Sequence, residues 1–285
     1  MVTSSSSKCK SAITSLAFFI FVHNSTTMTT LRLPFMGTLL ALCTSQGASF
    51  ASFRPQILPT DNFLSTALGA LEITVDETEA RSCFGTKDYW DDVYLGRGDF
   101  PSDTYTWYYG WEVLGRVVEQ YIPDKGAHIL VPGIGNDDIL LDLHKAGYMN
   151  MVGQDYSEHA VERQIDLLSY EGISIAPTED AEKSEEGSIQ VMQGDVTNLP
   201  ESWTESFDII LEKGLLDAVY LSGDGNMEAA SNNLSRVLRT GGIFISVSGV
   251  VPHELRLEAF NKNGWKWLKD GSDDLQAGCF VWQKR

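Results

Sequence analysis

The sequence predicts an α/β protein built on a doubly wound, seven-stranded, mostly parallel sheet, with an antiparallel last strand and helices on both faces. Three observations predict it. From Gly126 onward, short apolar runs of strand length alternate with longer helix-like segments, as in a parallel sheet covered on both sides. The first run ends in a tight turn, Gly133-Ile134-Gly135, that opens directly into a helix. The last two runs, WKWLK and GCFVWQ, are spaced like an antiparallel pair.

Residues 1–58 precede that body. They are rich in Ser and Thr, contain no Asp or Glu, and carry two apolar bursts, AITSLAFFIFV and LPFMGTLLALC, the second followed by TSQGASFASFRP. This is the pattern of a targeting segment with an apolar centre and a small-residue cleavage site, so import into an organelle is expected. ASFASFRP resembles the Ala-Phe junction between signal and transit peptides of algae with complex plastids, which makes the plastid the named destination. A secretory signal, or a misassigned start with Met28 as another candidate, are the alternatives; the second would leave the protein cytoplasmic. Residues 59–86 read as a linker or N-terminal extension, and 87–285 as one folded domain. No apolar run reaches the roughly 20 residues of a membrane-spanning helix.

Within the domain the expected strands are HILVPG, MVGQD, IQVMQGD, FDIILE and GIFISVS, ahead of the closing pair. Helices are expected at about 137–146, 158–170, 214–221, 227–239 and 252–262, with TGG as a glycine C-cap on the fourth. The segment EGISIAPTEDAEKSEEGS reads as a solvated loop.

The formal charge is −18 and unevenly spread. Lys8, Lys10, Arg32 and Arg54 all precede Asp61, the first acid, which leaves 17 of the 21 basic residues against all 39 acidic ones, a net −22 for the remainder. Such a body repels nucleic acid and favours basic proteins or cationic small molecules. Cys83 and Cys279 stand in the body without CxxC or Cys/His spacing, which argues against a zinc site and a disulfide scaffold. Oligomeric state is not legible.

The chemistry is concentrated at strand ends. Gly133 and Gly135 let the backbone turn and approach a ligand, and the helix after them offers free N–H groups. A dinucleotide fingerprint would place a third glycine at 138, where Asp138 would oppose a pyrophosphate. Asp155 closes the next strand, about 20 residues past the first glycine, where a carboxylate can accept both ribose hydroxyls. Asp195 and Val196 follow the third strand, suited to the exocyclic amine and the face of adenine. Each alone could be a tight turn or a helix-capping Asp. Together they point to a nucleoside site without pyrophosphate, a description that S-adenosylmethionine fits.

The fourth strand poses a question of its own, in FDIILEKGLLDAVY. A buried parallel strand runs straight into Glu212 and Lys213, although charges are seldom buried without partners. Either the sheet ends there in water, or the strand opens into the crevice where open α/β sheets bind ligands. The second reading is preferred.

With these residues in view, the chain resembles the class I S-adenosylmethionine-dependent methyltransferases, with their Rossmann-like fold. More narrowly it is similar to the group that includes the elongation factor 1-alpha lysine methyltransferases. The resemblance rests on Tyr89-Trp90-Asp91-Asp92-Val93-Tyr94, Ile129 to Asn136, Asp155-Tyr156-Ser157 and Leu211 to Ala218, and covers about 87–285, the methyltransferase domain. It implies that Trp90, Tyr94 and Trp107 close over the cofactor, with Gly133 beside its methionine part and Gly135 also a cofactor-binding residue. It likewise implies Asp155 and Tyr156 on the ribose, Asp195 and Val196 on the adenine, and Lys213 at the methyl-transfer face. Glu212 and Lys213 are the candidate catalytic pair: Glu212 to orient the incoming amine or take its proton, Lys213 to tether a backbone or a cofactor carboxylate. Trp111 reads as core packing. The sequence departs from the group at Ile134-Gly135-Asn136-Asp137, where Cys-Gly-Asn-Ser is usual, and at Val93, where an Arg is. The expected acceptor is a lysine of a basic protein; a small-molecule acceptor, an aminopropyl transfer like that of spermidine synthase, and a non-catalytic cofactor-binding role stay open. NPPY, the mark of transfer to bases or glutamine amides, is absent after the fourth strand.

Overall fold

The computed structural model describes residues 82–176, 189–261, 264–271 and 277–285. The expected targeting segment, most of the 59–86 extension and residues 177–188 of the acidic loop lie outside the described residues.

Two helices come before the sheet: α1, Lys87–Tyr94, and α2, Trp111–Tyr121. Neither is among the spans expected from the pattern, and the second is the longer. It is amphipathic, burying Leu114, Gly115 and Val118 and leaving Glu112, Glu119 and Gln120 exposed. Then strands and helices alternate: β1 Ile129–Pro132, α3 Ile139–Lys145, β2 Met151–Asp155, α4 Glu158–Tyr170 and β3 Ile189–Gln193. After two short 3₁₀ turns come β4 Phe207–Lys213, α5 Leu215–Leu221, α6 Asn226–Val237 and β5 Leu238–Ser248. The chain closes with α7 His253–Asn261, β6 Lys266–Lys269 and β7 Gly278–Gln283.

The seven strands lie in the order β3-β2-β1-β4-β5-β7-β6. β1 to β5 are parallel, and β7 runs antiparallel to both neighbours. This is the expected mostly parallel sheet with its antiparallel last strand. The order reverses between β1 and β4, which opens a crevice at their carboxyl ends.

Two apolar clusters sandwich the sheet. Ile129, Val131, Met151 and Ile209 face one with Leu114 and Leu140; Leu130, Val152, Ile210 and Phe244 face the other with Leu216 and Leu234. Strand alternation would put Phe207 with Ile209, yet Phe207 lies in the opposite cluster. A bulge explains it: the N–H groups of both Asp208 and Ile209 reach the His128 carbonyl, so two residues face one. Trp111 packs against the first cluster, as expected.

One expectation is corrected. TGG does not cap a helix, because α6 ends at Val237 and Leu238 is already extended. Instead, the register jumps from Leu238 to Ile243 against β4, and Gly241, at φ +81°, makes the turn inside β5.

Candidate active site

The crevice at the strand ends holds a cavity of about 190 Å³. A single ordered water needs roughly 15 Å³ on this measure, so this is room for a ligand of many atoms.

Its floor is the turn after β1. Gly133 and Gly135 sit at φ +66° and +52°, where a side chain is strained. A Cβ on Gly133 would meet Leu215 Cβ at 2.8 Å, and one on Gly135 would meet the Tyr94 hydroxyl at 3.0 Å. The turn is pinned from two sides. Gly133 N–H donates to the Gln154 carbonyl at 2.7 Å, and Gly135 N–H to Asp155 Oδ2 at 2.9 Å. From α4, Gln164 Nε2 donates to the carbonyls of Gly135 and Asp137, at 3.0 and 2.7 Å.

Asp155 is buried at the end of β2 and also takes the Ser157 N–H, at 2.9 Å. Burial pushes its carboxyl up to about 6, against the pull of those two N–H groups. Tyr156 follows it along the cavity wall. After β3, Asp195 Oδ1 accepts from both the N–H and the hydroxyl of Thr197, at 2.8 Å each, and Val196 is buried beside it. The structure therefore brings Gly133, Gly135, Asp155, Tyr156, Asp195 and Val196 to one cavity.

The roof is aromatic. Trp90 and Tyr94, four residues apart on α1, share a helix face and stack at 6.2 Å, while Trp107 meets Trp90 edge-on at 5.8 Å. Trp90 Nε1 donates to the Phe84 carbonyl at 2.7 Å, so residues ahead of 87 belong to the site. Ser157 donates to Asp91 and ties α1 to the start of α4. Asn136 Nδ2 donates to the Pro101 carbonyl at 2.9 Å and holds the loop carrying Trp107 against the glycine turn.

The charged pair after β4 divides. Lys213 lines the cavity, and its Nζ lies 2.6 Å from Asp137 Oδ2 and 3.0 Å from the Tyr109 carbonyl. Burial raises the Asp137 carboxyl and Lys213 opposes that. Glu212, by contrast, is not among the cavity-lining residues. It is fully buried on the far side of the strand, accepting from Ser246 Oγ and, at 3.2 Å, from the Leu216 N–H. The expectation that it meets an incoming amine is corrected here, since successive strand residues point to opposite faces and Leu211 and Lys213 hold the cavity side. Burial pushes the Glu212 carboxyl up to about 7.

The structure adds two residues that sequence reading missed. Asp217 is buried and accepts from the hydroxyls of Tyr108 (2.6 Å) and Ser248 (2.5 Å), and from the N–H groups of Gly249, Val250 and Val251 at 2.9 to 3.0 Å. Tyr108, also lining the cavity, holds φ +61°, a left-handed conformation that costs a non-glycine residue roughly 1–2 kcal/mol. Asp217 stood within a recognised motif with no role attached; nothing separates Tyr108 from its aromatic neighbours in the sequence.

These contents suit an adenosyl sulfonium. Lys213 is the one basic side chain among the described residues lining the cavity, and it is committed to Asp137, so no charge is left to balance a pyrophosphate. The acidic and aromatic lining favours a cation.

Comparison with known proteins agrees with this reading. A family model described as a methyltransferase domain matches residues 123–277. EEF1A lysine methyltransferase 2 of Danio rerio is 31% identical over 206 residues, covering 69% of this chain and 82% of the relative. Protein-lysine N-methyltransferase EFM4 of Saccharomyces cerevisiae is 28% identical over 211 residues, covering 66% and 86%. A solved structure described by the conversion of a disulfide bond into a thioacetal group during echinomycin biosynthesis superposes with TM-score 0.51 at 17% identity, over 70% of this chain and 93% of that one, a likeness of fold alone. With the domain model spanning the glycine turn and six of the seven strands, and a relative of this identity aligned along most of its length, the chain belongs to the class I S-adenosylmethionine-dependent methyltransferases.

Proposed function

We propose that this methyltransferase acts on the side-chain amine of a lysine in a basic protein. The observation that carries the reading is the roof of Trp90, Tyr94 and Trp107 over a cavity whose one basic side chain among the described residues is already paired. Ring faces attract desolvated cations by about 0.5 to 2 kcal/mol. The relatives' names support the same class of acceptor: both specify lysine, and the Danio rerio relative's also specifies EEF1A, which makes elongation factor 1-alpha the first candidate.

In this reading Asp155 and Tyr156 hold the ribose, Asp195 and Val196 the adenine, and the Gly133–Gly135 backbone the methionine part. Lys213 acts through its tie to Asp137 and the Tyr109 carbonyl, which fixes the end of β4 against the glycine turn. When bound, S-adenosylmethionine supplies an electrophilic methyl group. The protein's task is then positioning, because an in-line displacement needs alignment more than acid-base chemistry. Lysine titrates near 10.4 in water, and aromatic burial lowers that value and favours the neutral, nucleophilic amine.

Organelle import through residues 1–58 is also proposed, supported by their acid-free, Ser/Thr-rich composition and two apolar bursts. A fluorescent fusion of residues 1–60 that stays in the cytosol would remove it. The acceptor assay therefore carries both recombinant elongation factor 1-alpha and an organelle lysate, with a methyl-labelled donor and mass spectrometry of the labelled band. Label on lysine is the expected result; label on a small molecule or on another side chain overturns the assignment.

A further inference from the structure

We propose that Tyr108 forms the subsite for the acceptor amine: its ring walls the place where the lysine side chain ends, and its phenol oxygen accepts a hydrogen bond from the attacking nitrogen. Asp217 is the positioning residue that holds the phenol there. This deepens the lysine reading above and rests on it.

Place is the first argument. The positions suited to a nucleoside lie at the ends of β2 and β3, whereas Tyr108 packs at the ends of β4 and β5. A Cβ on Gly214 would lie 3.5 Å from its ring, and one on Gly249 would lie 3.0 Å from Cε1 and 3.2 Å from the hydroxyl. At about 4.8 Å per strand, two spacings separate the ribose position at β2 from β4, roughly 10 Å, and four separate β3 from β5, roughly 19 Å. Tyr108 thus stands where the far, reactive end of an adenosyl group would reach.

Strain is the second. Tyr108 is held left-handed at φ +61°, with glycines flanking its ring and its hydroxyl 2.6 Å from a buried carboxylate. Backbone strain of this kind persists where the surroundings over-determine a residue, and it clusters at functional sites.

Hydrogen-bond direction is the third. The Asp217 carboxylate receives two hydroxyls and three N–H groups, so the Tyr108 proton is committed to it and the phenol oxygen offers the cavity only lone pairs. That is the complement of an amine N–H. Burial and the Asp217 charge push the Tyr108 phenol well above its ordinary value, so it stays protonated and is no base. The step balances without one. The lysine ammonium first releases a proton to water; its nitrogen lone pair then forms the N–C bond as the C–S bond breaks with its electrons moving to sulfur, and the product leaves as a methylammonium.

The test uses the full chain saturated with S-adenosylhomocysteine and titrated with n-butylamine, a lysine side chain without its backbone, with binding read by ligand NMR. Tyr108→Phe keeps the ring and removes the oxygen. Amine affinity should fall about tenfold, the usual net worth of one hydrogen bond, while S-adenosylhomocysteine affinity stays within twofold and kcat on a lysine acceptor drops at least tenfold. In the Tyr108→Phe background, Asp217→Asn should weaken the amine less than twofold further, because it acts through the phenol. Should Tyr108→Phe not fold, Gly249→Ala presses on the same ring and should show the same split. Equal amine affinity in wild type and Tyr108→Phe, no amine binding to wild type, an additive Asp217→Asn effect, or parallel loss of S-adenosylhomocysteine affinity each overturns the subsite. Label found away from lysine would instead defeat the lysine reading, so the two failures are told apart.

Discussion

Glu212 and Lys213 are neighbours in the chain and do different work. The Glu212 carboxyl rises from 4.5 to about 7 in the folded protein, and the Asp155 carboxyl from 3.8 to about 6, both mainly through burial. A raised carboxyl pKa means the folded state binds the extra proton. Its stabilising contribution is therefore complete below the unfolded value and is lost as pH climbs through the folded one. Stability should decline from about pH 4 to 7 on this account, and Glu212→Gln should flatten the upper part of that decline. Urea unfolding at pH 5.5 and 8 should show the variant's stability changing by of order 2 kcal/mol less than wild type, at about 1.36 kcal/mol per pH unit. Because Glu212 does not line the cavity, cofactor affinity should stay within twofold and turnover within about threefold. A collapse of turnover with folding intact would return Glu212 to the chemistry. At Gly133, alanine must adopt φ +66° and displace Leu215. Gly133→Ala should cost at least roughly 1–2 kcal/mol in chemical unfolding and weaken cofactor binding at least tenfold by calorimetry.

At the scale of elements, what matters is how the end of β4 is fastened to the turn after β1 across the point where the strand order reverses. The fastening is one ion pair, Lys213 with Asp137, with side chains only 7% and 11% exposed. Removing one partner of a buried pair strands the other charge and typically costs about 3–5 kcal/mol, whereas replacing both with apolar groups is often near neutral. Lys213→Met alone should destabilise by that amount, and Lys213→Met with Asp137→Leu should recover most of it, a coupling that a double-mutant cycle in urea measures directly. Cofactor affinity should fall in the single variant, since the glycine turn loses its brace. The helices between the strands were legible from the alternation, and all five expected spans agree with α3, α4, α5, α6 and α7 to within about two residues at each end. The span of α6 runs two residues too long at its carboxyl end, because TGG is also what a C-cap looks like; only pairing with β4 shows that those residues belong to β5.

The molecule as a whole carries a charge of −18. Association with a basic protein acceptor should be steered by that field, so kcat/KM on such an acceptor should decline steeply between 50 and 300 mM salt while cofactor affinity changes little. Turnover on a basic protein that is indifferent to salt would argue against electrostatic capture. The cofactor should also stabilise the fold by mass action. At one hundred times its Kd the gain is about 2.7 kcal/mol, visible as a shift in melting temperature that Gly133→Ala should abolish.

By itself the sequence determined the α/β class, the parallel core with its antiparallel finish, and the set of strand ends that share one crevice. Those follow from local rules: apolar runs of strand length, helix periodicity between them, and glycines that permit a tight turn. Only the tertiary structure decided which face each crevice residue serves. Glu212 turns to Ser246 while Lys213 turns to Asp137, 76 residues away, and Tyr108 finds Asp217 at a separation of 109. Contacts across such distances depend on strand order, pleat and burial together, and none of these is written in the spacing of neighbouring residues.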